Sequence, residues 1–317
     1  MAISEQQLEL WSRVPSSSEQ DKMKNTYEEI KTALKEKFPL NEVISKYIIG
    51  REEGIEPYEV YLQGSYANAT YIRFNSDIDV IIQFNWTWGN DLSKLDEKQL
   101  NYYKAAYVGS NYSFLDFKKD VHRALQSYFG SDKAGWEDKC LKIGESSTRV
   151  KADVVPAFLH KNFNWFYHKG KDGYSCVRGI KFFNTDTNAQ IINYPKQHID
   201  NMTAKHQNTK SSFKNVVRIW KNIKVKLIEE RKFNDKTAPS YFIENLLYNI
   251  TDVQYAGGSY SAIMTNILRQ LFTDLKLGLV NYVCANGQDR LIGSNTWNLY
   301  DAKNFIAEAG DYFLNKT

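Results

Sequence analysis

Apolar residues recur along this chain in two rhythms, and the rhythm changes past its middle. Met23, Tyr27, Ile30, Leu34 and Phe38 fall on the 3.6-residue period of a helix, behind a capping run Ser16-Ser17-Ser18. Residues 50–57, with Gly50, Gly54 and Pro57, read as a break. Residues 58–63 alternate around Val60 and Leu62 as a strand, and 78–84 form a stronger, nearly continuous apolar one. Residues 85–95 read as a loop containing Trp and Gly, and 98–128 mostly as helix, ended by Gly130. Segments 141–143 and 149–155 pair as strands across a Gly144 turn, and 179–183 pairs with 190–193 across turn-favouring residues 184–188. From Asn208 onward the pattern predicts helices at 211–231, 240–250, 259–278 and 301–315. Strands and mixed elements first, helices after, predict an α+β domain over 1–195 and a helical domain over 196–317.

Composition narrows the class without choosing a function. At 317 residues with 42% apolar and 25% charged residues, the chain has material for one large or two modest cores. A net charge of +4 suits anionic substrates but falls short of a dedicated duplex binder. Aromatics reach 14%, so base stacking is available, although most rings belong in cores. Cys140, Cys176 and Cys284 are scattered and never in CxxC spacing, which argues against a disulfide scaffold or zinc ribbon. The N-terminus lacks the basic start and apolar stretch of a signal peptide, and no run reaches membrane-spanning length. The expectation is a cytoplasmic protein with no internal repeat and no long linker.

One segment breaks the pattern. The apolar strand that opens Ser76-Asp-Ile-Asp-Val-Ile-Ile carries Asp77 and Asp79 at i and i+2. On a strand both side chains emerge on one face, about 7 Å apart along the backbone. Two carboxylates that close repel each other, and burying them unpaired is costly. A solvated edge strand is one resolution. A divalent cation is the other, since Mg²⁺ takes carboxylate and phosphate oxygens. Gly64-Ser65, directly after the first strand, offers backbone N–H groups and a hydroxyl to a phosphate. Asp153, inside the apolar segment Arg149-Val-Lys-Ala-Asp-Val-Val-Pro156, supplies a third carboxylate. Together the three aspartates complete a ligand set for two metals and two-metal phosphoryl transfer, with Asp153 placed to take a proton from an attacking hydroxyl.

These residues resemble the polymerase β-like nucleotidyltransferases. The longer string from Leu62-Gln63-Gly64-Ser65 through Ile72-Arg73, with Ser76-Asp-Ile-Asp-Val80 and Asp153-Val-Val-Pro156, is similar to the bacterial CD-NTases. Those are relatives of cyclic GMP-AMP synthase and 2′-5′ oligoadenylate synthetase. The resemblance implies a mixed-sheet nucleotidyltransferase core followed by an oligoadenylate synthetase-like helical domain. It implies Asp77, Asp79 and Asp153 as catalytic metal ligands for two ions, Mg²⁺ or Mn²⁺, with Gln63, Gly64 and Ser65 in the nucleotide site.

In the helical half, Lys214, Arg218 and Lys221 make a cationic stripe at i, i+4 and i+7. By pattern alone it is a solvated face; by resemblance Lys221 reaches the triphosphate. Ser240, after Pro239, reads as a helix cap. The resemblance instead gives Ser240 a hydroxyl contact to the phosphates and Tyr241 a ring stacked on the base, a contact that discriminates poorly among bases. Within 193–201, His198 and Asn201 are candidates for reading a base edge. A structural, hydrogen-bonded histidine is the competing account of His198, and Asn201 is the position matched to the pocket Asn with which some members favour uracil.

The activity implied is synthesis of a cyclic oligonucleotide from nucleoside triphosphates, in anti-phage signalling with an operon-encoded effector. A linear oligonucleotide synthase or RNA-tailing enzyme of the same fold is the alternative. No Cys/His cluster suggests the zinc-bearing insertion of the animal DNA sensor, so direct activation by DNA is not expected. A monomer with its site supplied in cis is.

Overall fold

The computed structural model describes residues 3–47, 54–73, 77–170, 172–230, 234, 237–293 and 297–315. In chain order the elements are α1 (Glu5–Ser12), α2 (Ser17–Lys37), α3 (Leu40–Lys46), β1 (Tyr58–Gln63), α4 (Gly64–Ala67), β2 (Ile78–Asp91), α5 (Glu97–Ala106) and α6 (Phe114–Phe129). Then follow β3 (Ala134–Trp136), β4 (Leu141–Ile143), β5 (Ala152–Phe166), β6 (Tyr174–Phe183), β7 (Gln190–Asn193), α7 (Pro195–Asn208), α8 (Phe213–Glu229), α9 (Ser240–Tyr248), α10 (Tyr260–Leu275) and α11 (Leu299–Asn315). They fall into two compact units. One comprises Ser17–Gln63 and Asp77–Pro195; the other comprises Met1–Ser16, Gly64–Ser76 and Lys196–Thr317. The expected break at 50–57 falls partly on residues outside those described.

The first unit is built on a seven-stranded mixed sheet in the order β1-β2-β5-β4-β3, with β6 also on β5 and β7 on β6. The β2–β5 pair is parallel and the others are antiparallel. Helices α2 and α6 cover the sheet, and Phe84, Phe117 and Phe158 meet beneath them, with the Phe117 and Phe158 rings stacked at 5.4 Å. Pro156 is tolerated inside the central strand β5 because of where its neighbours end. β4 pairs only as far as Val154 and β6 begins at Phe158, so the missing N–H of Pro156 disrupts no second ladder.

The sheet extends beyond the sequence expectation, adding β3 and five residues at the start of β6 and lengthening β2 and β5. Residues 85–91, expected as a loop, continue β2 through a register shift between Phe84 and Trp88. Trp86-Thr87-Trp88 favours extended backbone, and the irregularity absorbs the break that Asn85 and Gly89 seemed to signal. β5 likewise runs on to Phe166. The single helix expected over 98–128 is two, because Ser113 caps a new start with its hydroxyl accepting from the Asp116 N–H at 3.1 Å. Gly130 does end α6, with φ at 95°.

The second unit is helical. Trp220, Phe242, Phe305, Ile267 and Leu246 are buried in one core with Leu8 of α1. The four expected helices appear as α8 to α11, within a few residues of the expected ends. α7 was not expected, because the helical pattern was read only from Asn208 onward. Proline at the first helical position costs no hydrogen bond, so it opens α7.

Candidate nucleotidyltransferase site

The carboxylates stand at one end of the parallel pair. Asp79 of β2 and Asp153 of β5 are direct register partners. Each is half-buried between buried neighbours: Ile78 and Val80 for the first, Ala152 and Val154 for the second. Alternation along both strands therefore sends the two aspartates to the same side, away from the apolar contacts. Asp77 is exposed, one residue ahead of β2. On the other flank of each strand, Gln63 is the register partner of Asp79 and Lys142 that of Asp153.

Burial raises the Asp153 carboxyl above the ordinary value of 3.8, and the Asp77 charge adds to the shift, while Lys142 and a hydrogen bond from Cys140 oppose it. The same crowding pushes the Cys140 thiol up to about 12, through burial first and the Asp153 charge second. A divalent cation relieves this kind of repulsion, so the donor set fits the hard, oxygen-seeking metals. Among the described residues no three such side chains are already closed into a ready-made cluster. Register and alternation gather the aspartates at one strand end without locking their carboxylates together.

The phosphate-facing candidates lie in the helical unit. Gly64 has a φ of 69°, a left-handed backbone that suits glycine, and it starts the single turn α4. The Ser65 carbonyl accepts from the Thr70 N–H at 2.9 Å, closing the connection behind that turn. The cationic stripe of α8 is not solvated: Lys214, Arg218 and Lys221 are 8%, 5% and 3% exposed. Arg218 donates Nε to the Ser12 carbonyl at 2.6 Å and another N–H to the Ala69 carbonyl. Lys221 donates to Glu244 Oε1 at 2.6 Å and to Thr70 Oγ1 at 3.2 Å.

Ser240 is the first residue of α9 and Pro239 occupies the cap, so Ser240 does not cap the helix. Tyr241 is 39% exposed, and its ring stacks on His198 at 4.8 Å and 27°. His198 is buried, with Nε2 3.1 Å from Glu244 Oε2. Asn201 donates its amide N–H to the Ala285 carbonyl at 2.6 Å, which pins the loop ahead of Gly287.

Glu244 was missed in the sequence, yet three site side chains converge on it. The signal was present: one carboxylate inside the apolar run Phe242-Ile-Glu-Asn-Leu-Leu247, the same anomaly that exposed Asp77 and Asp79. Burial pushes its carboxyl up, but Lys221 and His198 outweigh that and hold it below the ordinary range.

A mixed-sheet unit with aspartates on neighbouring strands, and a helical unit with a buried lysine and a stacked tyrosine, define a protein of the nucleotidyltransferase class. Residues 44–125 match the model of the nucleotidyltransferase domain, and 200–314 match that of the cGAS/DncV-like nucleotidyltransferase C-terminal helical domain. Cyclic nucleotide synthase CdnE01 of Staphylococcus haemolyticus is 36% identical over 279 residues, covering 86% of this chain and 92% of its own. The solved structure of Rhodothermus marinus CdnE, a c-UMP-AMP synthase with Apcpp and Upnpp, has a TM-score of 0.78 at 33% identity, covering 98% of this chain and 96% of that one. That of the Elizabethkingia meningoseptica CdnE cyclic dinucleotide synthase with GTP and Apcpp has a TM-score of 0.76 at 29% identity, covering 98% and 99%. The chain belongs to the cGAS/DncV-like nucleotidyltransferases, the CD-NTases. The fold implies a general dependence on divalent metal. Among the described residues no helix is long and apolar enough to cross a membrane.

The raised Asp153 carboxyl has a consequence for stability. Folding favours its protonated form, so its stabilising contribution is complete below the unfolded value near 3.8 and is lost as pH rises through the higher folded value. At neutral pH the ionised group is therefore a cost. Asp153→Asn should raise the melting temperature of metal-free protein at pH 7.5 by on the order of 2 °C, and should abolish the stabilisation that Mg²⁺ gives the wild type. Differential scanning calorimetry with EDTA and with Mg²⁺ measures both.

Proposed function

We propose that the protein joins nucleoside triphosphates into a cyclic di- or trinucleotide second messenger by two-metal nucleotidyl transfer. What carries the transfer chemistry is the Asp79–Asp153 register on parallel strands, with Asp77 beside it. What supports a cyclic product is similarity over nearly the whole chain to proteins named as cyclic nucleotide synthases. Asp77, Asp79 and Asp153 would hold two ions, Mg²⁺ or Mn²⁺. Bound there, such ions lower the pKa of the attacking hydroxyl and neutralise the triphosphate and departing pyrophosphate.

In each transfer a ribose hydroxyl oxygen bonds to the α-phosphorus of a second nucleotide. The bond from that phosphorus to the bridging oxygen breaks, and pyrophosphate leaves with the electron pair. Asp153 receives the hydroxyl proton. Gln63, Gly64, Ser65, Lys221 and Ser240 bind and orient the donor nucleotide, and Tyr241 stacks on its base. A second transfer, with the linear intermediate turned round, closes the ring. The signal then acts through an effector outside this chain, in keeping with a cytoplasmic anti-phage role.

Base choice is not inherited from the relatives. Chains 29–34% identical to this one are named for cyclic UMP-AMP, dipurine, dipyrimidine and GMP-AMP products. Asn201 is our candidate reader. With one of its two N–H donors on the Ala285 carbonyl, Asn201 keeps Oδ1 to accept from the N3–H of uracil.

Protein incubated with Mg²⁺ or Mn²⁺ and labelled triphosphates, singly and paired, should yield a product that survives phosphatase, since a ring has no terminal phosphate. Asp77→Asn combined with Asp79→Asn should abolish it. Absence of a resistant product under every combination contradicts the reading.

Asn201→Ser should lower uridine incorporation relative to adenosine by roughly ten-fold, the value of one good edge contact. An unchanged ratio removes Asn201 from base recognition.

A further inference from the structure

The helical unit buries a carboxylate that the chemistry above does not use. Glu244 and Lys221 each have side chains 3% exposed, and His198 is 5% exposed. Glu244 Oε1 accepts from Lys221 at 2.6 Å and also from the Thr70 hydroxyl. Its Oε2 lies 3.1 Å from His198 Nε2. A carboxylate oxygen only accepts, so the imidazole must carry its proton on Nε2. Among the described residues the other ring nitrogen, Nδ1, is buried with no hydrogen-bond partner, so the Glu244 bond is the one that orients the imidazole there. That ring is the surface on which Tyr241 stacks. Thr70 in turn bonds back to the Ser65 carbonyl at 2.9 Å.

We propose that Glu244 is a positioning residue of the nucleotide site, whose one carboxylate holds the Lys221 ammonium for the triphosphate and, through His198, sets the Tyr241 ring for the base. The proposal rests on the reading that Lys221 and Tyr241 receive the donor nucleotide.

Charge supplies the reason that this residue is an acid. An ammonium has three N–H donors, and Thr70 and Glu244 engage two of Lys221's. Desolvation alone would favour the neutral amine, which attracts phosphate poorly. The groups facing Lys221 are Glu244 from α9, with His198 of α7 behind it, and Arg218 and Lys224 on its own helix. Lys214 is the further cation coupled to Glu244. The neighbouring cations act in the same direction as burial. Glu244 is the anion that keeps Lys221 charged.

Glu244→Gln preserves shape and an acceptor oxygen but removes the charge. Lys221 should then hold its proton less tightly, and acidification should restore it. We would measure binding of the four non-hydrolysable triphosphate analogues by calorimetry with Mg²⁺ at pH 8.5 and pH 6.5. The variant-to-wild-type affinity ratio, which cancels titration of the analogue itself, should fall at least ten-fold at pH 8.5 and recover most of that at pH 6.5. A purely structural role gives the same deficit at both values. Equal affinity, or a deficit independent of pH, overturns the proposal. Wild-type protein that binds none of the analogues contradicts instead the nucleotide reading on which it rests. Should the Gln variant not fold, Glu244→Asp keeps the charge but shortens the reach, and should weaken binding equally at both values; full affinity then overturns the proposal.

Discussion

The constraint on which the rest depends is the facing of two carboxylates across a parallel strand pair. Asp79 and Asp153 share a register position, and Asp77 adds to the field at Asp153. Nothing in an apolar sheet favours this arrangement, because like charges repel and burial penalises each of them. A fold that keeps such a group pays at neutral pH, unless a cation arrives. The same strands explain how the arrangement is held. Buried Ile78, Val80, Ala152 and Val154 fix both strands on either side of the acids, so register leaves them no alternative face.

The helical unit handles charge in the opposite way. The cationic stripe of α8 is buried and each member finds an acceptor inside the fold: Lys214 the Thr203 hydroxyl, Arg218 the carbonyls of Ser12 and Ala69, Lys221 the carboxylate of Glu244. Breaking one member of such a pair leaves a buried charge uncompensated. These bonds tie the Gly64–Arg73 segment to α8 and α9, so the turn that opens at Gly64 is shaped by side chains far along the sequence. One unit carries a carboxyl that burial and a neighbouring charge raise; in the other the α8 cations are bonded within the fold, with Tyr241 left partly exposed.

The sequence made some of this legible and hid the rest for identifiable reasons. Asp77, Asp79 and Asp153 stood out because charge inside a β pattern is rare. Ser240-Tyr241 emerged through resemblance. The stripe Lys214, Arg218 and Lys221 was visible by period, but period cannot say whether a cationic face meets water or carbonyls, and here it is buried. The partners responsible, Ser12, Ala69 and Glu244, lie between 23 and 206 residues away, beyond any local pattern. Glu244 was overlooked among apolar helix positions. In the sheet unit, Trp86–Asp91 was misjudged because an irregular strand contains the same residues as a loop; in the helical unit, α7 was missed because its start is a proline.

The most direct test of the account is to locate the metal. Crystals grown with Mn²⁺ and a non-hydrolysable triphosphate analogue, measured at the manganese absorption edge, report metal positions independently of catalysis. The account predicts anomalous peaks ligated by Asp77, Asp79 and Asp153 and by phosphate oxygens of the analogue. Bound analogue with no manganese on those aspartates would contradict it.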